Sequence, residues 1–293
     1  MPAPLVIDTH VHLYRSRADA QSAKGEYDIW EYGRGASVHF SELAGDAEDG
    51  RTALEAAGAS WVAVANLISR PKAEETFDED LRDYNSWLCD LANEDSRILP
   101  IIGIDPIRLG VSRTLEQMDE FLGERGARGM KIHPPLQSLD VRDDSWWQVL
   151  QRAEALRTVV LSHSGPDRQG SGRGEPQSFA ALLAAFPNLR LILAHLGGAA
   201  WRQVPELAQA FPQVLFDLSE IISWVGAERA PSATELVALI RDVGPSRVLL
   251  GSDFPWYDIS DVVAAVQALP GLSEGETAAI LGENAASLFG LDV

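Results

Sequence analysis

The sequence is poor in cysteine and in basic residues, and each shortage excludes a class of protein. There is one cysteine among 293 residues, Cys89, so no disulfide can form within the chain, and we expect a reducing compartment. Lysine and arginine number 24 against 43 aspartate and glutamate residues, which gives a formal net charge of −19. Nucleic acids and anionic membranes bind basic patches, so this balance argues against both as partners.

Long hydrophobic runs are absent from the sequence as well. No apolar stretch approaches the roughly 20 residues that a helix needs to cross a bilayer, and no basic segment followed by an apolar run indicates a signal peptide. We therefore expect a cytoplasmic protein. Hydrophobic residues still make up 46% of the chain, which is enough for one large core. We expect a single domain over residues 1–293.

Short runs rich in valine, isoleucine and leucine recur along the chain and predict parallel strands that are covered on both faces. Eight such runs occur, at residues 4–11, 61–67, 98–104, 129–133, 158–163, 189–195, 214–218 and 247–251. Helical periodicity predicts helices at 46–57, 78–93, 112–122, 145–156, 176–186, 201–211, 234–243, 260–269 and 274–289. The alternation predicts a parallel (β/α)₈ barrel. An open doubly wound sheet is less favoured, because no glycine-rich nucleotide loop follows an early strand.

The stretch from about residue 14 to residue 40 is the least regular part of the chain. It carries several aromatic and basic residues, namely Tyr27, Trp30, Tyr32, Arg34 and His39. A long loop after the first strand predicts a lid or substrate loop, and a surface loop without substrate contact is the alternative. Arg34 could clamp a carboxylate with two hydrogen bonds, although a lone loop arginine is usually solvated. We expect His39 to be a loop or structural histidine.

The first strand carries the clearest chemical signal. Side chains alternate between the two faces of a strand, so Asp8, His10 and His12 are expected to face one way and Ile7 and Val11 the other. Two imidazoles at positions i and i+2 can both reach one ion at the Zn–N distance of about 2.0–2.1 Å. Asp8 lies one step deeper and could orient a ligand imidazole.

Further polar residues lie at the ends of other predicted strands. His133, His163 and His195 end the fourth, fifth and sixth strands, and Asp253 follows the eighth, which neighbours the first in a closed barrel. Active sites of such barrels form at the C-terminal ends of the strands. Nitrogen and oxygen donors that converge there are what a catalytic divalent metal requires, so the sequence predicts a metal site.

Six motifs follow one another in the order found in the amidohydrolase superfamily. They are DTHVH at 8–12, GMKIHP at 129–134, LSH at 161–163, AHLGG at 194–198, GSDFP at 251–255 and ENAA at 283–286. Over essentially its whole length the chain resembles this superfamily. It resembles most the branch that contains aminocarboxymuconate-semialdehyde decarboxylase, resorcylate-type decarboxylases and pyrone-dicarboxylate lactonase. The motifs are specific to the superfamily but not to a substrate.

The resemblance implies roles for these residues. His10, His12 and His163 would bind one divalent metal ion, zinc or manganese, with Asp253 as a further ligand or a catalytic carboxylate. His195 would act beside the metal as a general acid or base or as a group that polarises a carbonyl.

The roles of the remaining site residues stay open. Lys131 would contact an anionic substrate group or a nearby carboxylate. Its alternatives are a carbamate that bridges two metal ions, as in binuclear relatives, and a buried ion pair. His133 is as readily substrate-facing as structural.

Weaker candidates come from position alone. Asp217 and Ser219 end the seventh strand on one face and could bind substrate or support a metal ligand. Trp256 follows Asp253 on the last loop, where it is expected to wall the substrate pocket together with Tyr257. Cys89 stands in a helical pattern among apolar residues, and we interpret it as a packing residue rather than a nucleophile.

Two reaction classes fit this set of residues. The first is hydrolysis of a lactone, ester or amide of a small acid, in which the metal lowers the pKa of bound water to about 7 and Asp253 takes its proton. The second is metal-dependent, non-oxidative decarboxylation of an aromatic or unsaturated acid. Decarboxylases of this branch tend to be longer than this chain, which favours the hydrolase. A metal-free lactonase and a non-catalytic binding barrel are further alternatives, and the family suggests a homodimer.

Overall fold

Eight parallel strands form the centre of the molecule in a computed structural model that describes residues 4–25, 31–66 and 74–293. The strands are β1 (Ile7–Val11), β2 (Trp61–Ala65), β3 (Ile98–Gly103), β4 (Gly129–Ile132), β5 (Val159–Ser162), β6 (Arg190–Leu193), β7 (Leu215–Asp217) and β8 (Val248–Leu249). Each strand pairs with its neighbours in sequence order. A parallel bridge between Val11 and Phe254 brings the chain after β8 back to β1. The predicted (β/α)₈ barrel is confirmed.

Helices lie between the strands at nearly all the predicted places. They are α1 (Arg17–Gly25), α2 (Ala47–Ala57), α3 (Phe77–Glu94), α4 (Val111–Met118), α5 (Pro134–Gln137), α6 (Trp147–Leu156), α7 (Ala180–Ala185), α8 (Val204–Ala210), α9 (Ala233–Val243), α10 (Ile259–Gln267), α11 (Glu274–Ala278) and α12 (Asn284–Phe289). Residues 119–124 continue α4 in π geometry, and residues 279–283 join α11 to α12 in the same way. None of the helices in the described ranges is long and apolar enough to span a membrane.

The core has two layers, which follow the alternation along the strands. Inside the barrel lies the inner core, formed by Ile7, Ala63, Ala65, Leu99, Ile101, Val159, Leu161, Ile192, Ala194 and Leu249, and α12 contributes Ala285, Ala286, Leu288 and Phe289. The outer core lies between strands and helices and contains the alternate strand residues, such as Val62, Val160 and Phe216. Lys131 and Asp217 are flanked by outer-core residues, and His163 stands two positions after Leu161 of the inner core, so all three extend the inner layer towards the C-terminal ends of the strands.

An irregularity in β1 changes which residues share a face. Ile7 belongs to the inner core, yet Val11 belongs to the outer core, which regular alternation does not allow. The pairing register with β2 shifts between Asp8 and Val11, as it does at a β-bulge. His10 and Ile7 therefore lie on the same side. The expectation that Ile7 and Val11 share one face was wrong, because one extra residue re-aims the strand.

The predicted lid segment is partly helical. It contains α1, which the sequence patterns did not predict, while Tyr27 and Trp30 lie outside the described residues. Tyr32 is buried and stacks on Trp224, with ring centroids 5.3 Å apart. Glu31 accepts a hydrogen bond of 3.1 Å from the N–H of Ala199, in the turn segment that follows β6. The described part of the segment thus packs on the face where the strands end, and its action as a lid stays a prediction.

Candidate metal centre and active site

Three of the four predicted metal ligands meet at the C-terminal end of β1. The Nε2 atoms of His10 and His12 lie 3.2 Å apart. Asp253 Oδ1 lies 3.4 Å from the first nitrogen and 3.2 Å from the second, and all three residues are buried. Ligands bonded at about 2.0–2.1 Å around a tetrahedral ion are about 3.3 Å from one another. The spacing fits a single metal ion.

The backbone turns Asp253 towards the two histidines. Its φ is +60°, in the left-handed region that residues other than glycine seldom adopt, and its N–H donates to the His10 carbonyl at 2.8 Å. Burial opposes ionisation of the Asp253 carboxyl, but His10 and His12 more than offset it and hold the pKa below its usual range. The carboxyl is ionised at neutral pH and can act as a ligand or a base.

Hydrogen bonds orient both imidazoles for metal binding. His10 Nδ1 lies 3.1 Å from Asp217 Oδ2, and His12 Nδ1 lies 2.8 Å from the Ala65 carbonyl. Both partners accept hydrogen bonds, so we assign the protons to the Nδ1 atoms, which leaves lone pairs on the Nε2 atoms. Two lone pairs and a carboxylate oxygen thus face one another in a buried space. A cation between them satisfies all three.

Asp217 at the end of β7 is the acid that supports His10. Its Oδ1 accepts hydrogen bonds from the N–H groups of His195 at 2.9 Å and Ser219 at 3.0 Å, and also from the Ser219 hydroxyl. Burial opposes ionisation, but His10 and these hydrogen bonds lower the pKa of Asp217 to about 2. A Cβ at Gly251 would lie 3.0 Å from Asp217 Cγ and 3.1 Å from His10 Cβ. A glycine at 251 therefore gives this contact the space it needs.

Asp8 makes different contacts from the ones expected. Its Oδ1 accepts hydrogen bonds of 3.0 Å from the N–H groups of His10 and Ser252, which join β1 to the loop after β8. Burial raises the pKa of Asp8 to about 7. The expectation that Asp8 orients a ligand imidazole was wrong, because the bulge in β1 changes the regular alternation on which it rested.

The other histidines continue from this centre across the ends of β4 to β6. His195 Nε2 lies 3.1 Å from His163 Nδ1, and the His163 ring stacks on that of His133 with centroids 4.0 Å apart. Burial lowers the pKa of His195 to about 4, so this imidazole is neutral at pH 7. His163 belongs to none of the described groups whose ligand atoms lie within 4.8 Å of one another. Its role as fourth ligand stays a prediction.

Lys131 joins the centre from β4. Its Nζ lies 2.9 Å from His10 Nε2, and burial lowers its pKa to about 8. Lys131 and His133 also line a small, partly open cavity between the ends of β2, β3 and β4, with room for about one water-sized group. The cavity leaves a small space beside the lysine and the candidate metal ligands.

Trp256 lies beside the candidate metal ligands, whereas Arg34 does not. The Trp256 ring lies edge-on to His12, with centroids 5.5 Å apart, and its role as a wall of the substrate pocket stays a prediction. The Arg34 side chain is exposed, and the Arg34 backbone pairs with Glu228. The structure does not bring Arg34 to the centre. His39 also lies apart, 70% exposed and 3.0 Å from Asp261, in keeping with the loop histidine expected.

A comparison with known families identifies the chain's relatives. The sequence model described as Amidohydrolase matches residues 7–291. The chain belongs to the amidohydrolase family. No curated protein sequence matches it.

Solved structures similar to this amidohydrolase include several decarboxylases. The 5-carboxyvanillate decarboxylase of Sphingomonas paucimobilis aligns with a TM-score of 0.74 and 16% identity, over 99% of this chain and 100% of that one. The dihydroxybenzoic acid decarboxylase of Polaromonas sp. JS666, solved with manganese and 2-nitroresorcinol, aligns with a TM-score of 0.75 and 16% identity, over 99% of this chain and 98% of that one. The 2,6-dihydroxybenzoate decarboxylase of Rhizobium aligns with a TM-score of 0.71 and 17% identity, over all of both chains. At this identity the likeness establishes the fold.

Glu220 is a candidate site residue that sequence reasoning missed. Its Oε2 lies 3.5 Å from His195 Nδ1, and Glu220, His195 and Asp253 have ligand atoms within 4.8 Å of one another. Alternation predicts that Glu220 faces away from Ser219, but a φ of +62° at Glu220 turns the chain. No residue type in the sequence signals that turn.

The buried charges fit a bound cation. Asp217 and Asp253 are buried carboxylates with lowered pKa values, and Lys131 brings one positive charge. These three groups leave about one excess negative charge beside the donor atoms. Uncompensated buried charge is costly, so the centre favours a bound cation.

Proposed function

We propose that this amidohydrolase is a metal-dependent enzyme for small carboxylic acids, and that it catalyses non-oxidative decarboxylation of a hydroxylated aromatic or unsaturated acid. The observation that carries the metal dependence is the buried group of His10, His12 and Asp253, with its ligand-like spacing. The choice of decarboxylation is supported by the end-to-end similarity to carboxyvanillate and dihydroxybenzoate decarboxylases. Because those alignments span both chains, the shorter length of this chain no longer argues for a hydrolase.

His10, His12 and Asp253, joined as predicted by His163, would hold one zinc or manganese ion. When bound, the ion would act as a Lewis acid towards the oxygen atoms of the substrate. Lys131, from the wall of the cavity, would draw the anionic acid towards the centre by its charge.

A proton must reach the ring or alkene carbon as CO₂ leaves, because the electron pair of the broken C–C bond stays on that carbon. Asp253 and His195 are the groups we assign to carry this proton. The Asp253 carboxyl is ionised and His195 is neutral at pH 7, because its pKa is about 4, so the proton comes from water. Either group can take it from water and pass it to the carbon, and the hydroxide left behind combines with CO₂ to give bicarbonate.

Hydrolysis is the second candidate, and the state of Asp253 favours it. This carboxylate is held ionised against two imidazoles, which suits a base that removes a proton from water. The bond cleaved would then be a lactone, ester or amide of a small acid.

One assay on metal-analysed protein separates these reactions. Protein purified without chelator is analysed by elemental mass spectrometry and incubated with 2,6-dihydroxybenzoate, 5-carboxyvanillate and a panel of small lactones and esters. Release of CO₂ with about one equivalent of metal supports the decarboxylase. Release of acid from a lactone or ester without CO₂ supports the hydrolase.

Asp253→Asn tests the site itself. We expect loss of at least about 100-fold in rate for whichever reaction is found, because proton transfer by a placed group contributes about 10²–10⁴-fold. Full activity in this variant contradicts the role of Asp253. Protein that neither contains nor takes up metal, yet cleaves a lactone, contradicts the metal dependence and leaves the metal-free lactonase.

A further inference from the structure

Lys131 and a metal ion need the same lone pair of His10. Lys131 Nζ lies 2.9 Å from His10 Nε2. His10 Nδ1 donates its proton to Asp217 Oδ2 at 3.1 Å, so Nε2 has a single lone pair in the plane of the ring. That lone pair either accepts a hydrogen bond from the ammonium or bonds to a metal ion. Metal binding at His10 therefore requires that Lys131 leave this position.

The surroundings of Lys131 make that departure costly. Lys131 is only 3% exposed, and the nearby carboxylates of Asp217 and Asp253 attract its charge.

A divalent ion among these groups would repel the ammonium at close range. At about 4 Å, and with the effective dielectric constant of about 20 found near protein charges, such a repulsion far exceeds thermal energy.

The cavity beside Lys131 offers the ammonium a second position. Asn66 lines it, and Asn66 Oδ1 is buried and accepts no hydrogen bond from the described part of the chain. The orientation of this amide is set by Asn85, whose Oδ1 accepts from Asn66 Nδ2 at 2.7 Å and from the Gly103 N–H at 2.9 Å. Among the described residues, Asn66 Oδ1 is therefore an unused acceptor. Asp105 Oδ2, on the same cavity wall, accepts no hydrogen bond within the described ranges and lies 3.8 Å from Arg108 Nη1.

We propose that Lys131 is a built-in competitor of the metal ion. Its ammonium bonds to His10 Nε2 and moves towards Asn66 in the adjacent cavity when a divalent ion binds, so that Lys131 lowers the metal affinity of the centre. This role makes Lys131 a positioning residue that stabilises the ligand cluster without metal. The inference rests on the proposed metal-dependent function, and its test separates the two.

Lys131→Met tests the competition, because methionine keeps an unbranched side chain of similar length and removes the charge. Dissociation constants for Zn²⁺ and Mn²⁺ are measured on chelator-stripped protein by competition with a metal-binding dye. We expect Lys131→Met to bind both ions at least about tenfold more tightly than the wild type. The same variant without metal should melt at a lower temperature, since the buried carboxylates lose their cation.

Two further variants sharpen the comparison. Lys24→Met is the control, because it removes the same formal charge at a site away from the centre. Lys24 Nζ donates to the Leu43 carbonyl at 2.8 Å, and the variant should leave metal affinity unchanged. Asn66→Leu removes the second position of the ammonium, so this single variant should bind metal several-fold more weakly than the wild type. The same substitution added to Lys131→Met should not weaken metal binding. Lys131→Gln gives the same comparison if the methionine variant does not fold.

Unchanged metal affinity in Lys131→Met, with binding in the wild type, overturns the inference and leaves the proposed function intact. Weaker binding also overturns it, because Lys131 would then support the metal, as a carbamate does. A wild type that binds neither ion contradicts the metal-dependent function itself, and the inference with it.

Discussion

Replacing Asp217 by asparagine is expected to move the proton of His10 from Nδ1 to Nε2. In the structure Asp217 Oδ1 accepts three hydrogen bonds, from the N–H groups of His195 and Ser219 and from the Ser219 hydroxyl. The asparagine oxygen must take this place, because an NH₂ group there would face two backbone N–H groups. The NH₂ group then faces His10 Nδ1, at the position where Oδ2 is now 3.1 Å away.

A donor opposite Nδ1 favours the tautomer that accepts there and carries its proton on Nε2, where His12 Nε2 at 3.2 Å accepts it in place of the hydrogen bond from Lys131. Nε2 then has no lone pair for a metal ion. Loss of a group that orients a metal ligand costs about 10–100-fold in affinity, and we expect Asp217→Asn to reach the upper part of that range. The protein should also lose about 1.5–3 kcal/mol of unfolding free energy, the usual worth of a hydrogen bond to a charged group.

The assay has two independent readouts. Metal affinity is measured by competition with a chelator, and the proton position on His10 is read from its imidazole ¹⁵N resonances. Asp49→Asn is the matched control, because Asp49 is a buried carboxylate away from the centre that also accepts backbone N–H groups, from Ala44 and Gly45. Wild-type metal affinity in Asp217→Asn, with the proton still on Nδ1, would refute the reasoning.

Three other predictions follow from particular contacts. Burial raises the pKa of Glu31 to about 7 from 4.5. Between these pH values the folded protein keeps the Glu31 proton, whereas the unfolded chain releases it. The unfolding free energy of the wild type should therefore fall as pH rises through this window. Glu31→Gln should gain up to about 3 kcal/mol relative to the wild type between pH 4.5 and pH 8, as measured by urea unfolding, and a gain independent of pH would contradict this. Gly198→Ala should lose more than about 1 kcal/mol, because φ is +56° and the new Cβ would lie beside a Glu31 carboxylate oxygen. Adding Zn²⁺ or Mn²⁺ at 100 times its dissociation constant should raise the unfolding free energy by about 2.7 kcal/mol, and a midpoint insensitive to metal concentration would argue against the site.

The barrel could be predicted because its elements are written in local patterns. Apolar runs and helical periodicity depend on residues near one another in the chain, and they located every strand and most helices to within a few residues. The same local rule placed His10 and His12 on one face. The rule assigned Ile7 to the face opposite His10, which is wrong, because a bulge inserts one residue into the alternation without a signal such as glycine or proline. It also did not predict α1, which has little apolar periodicity of its own.

By itself, the sequence determined the fold, the family and the strand ends at which His10, His12, Lys131 and Asp253 stand. Only the tertiary structure decided what each of them touches. Asp217 supports His10 from 207 positions away in the chain, and Glu220 reaches His195 through a left-handed turn. Lys131 approaches His10 Nε2 across the barrel from β4. Such contacts depend on barrel closure, register and single backbone angles, which bring distant residues within bonding distance and leave no periodic trace in the sequence.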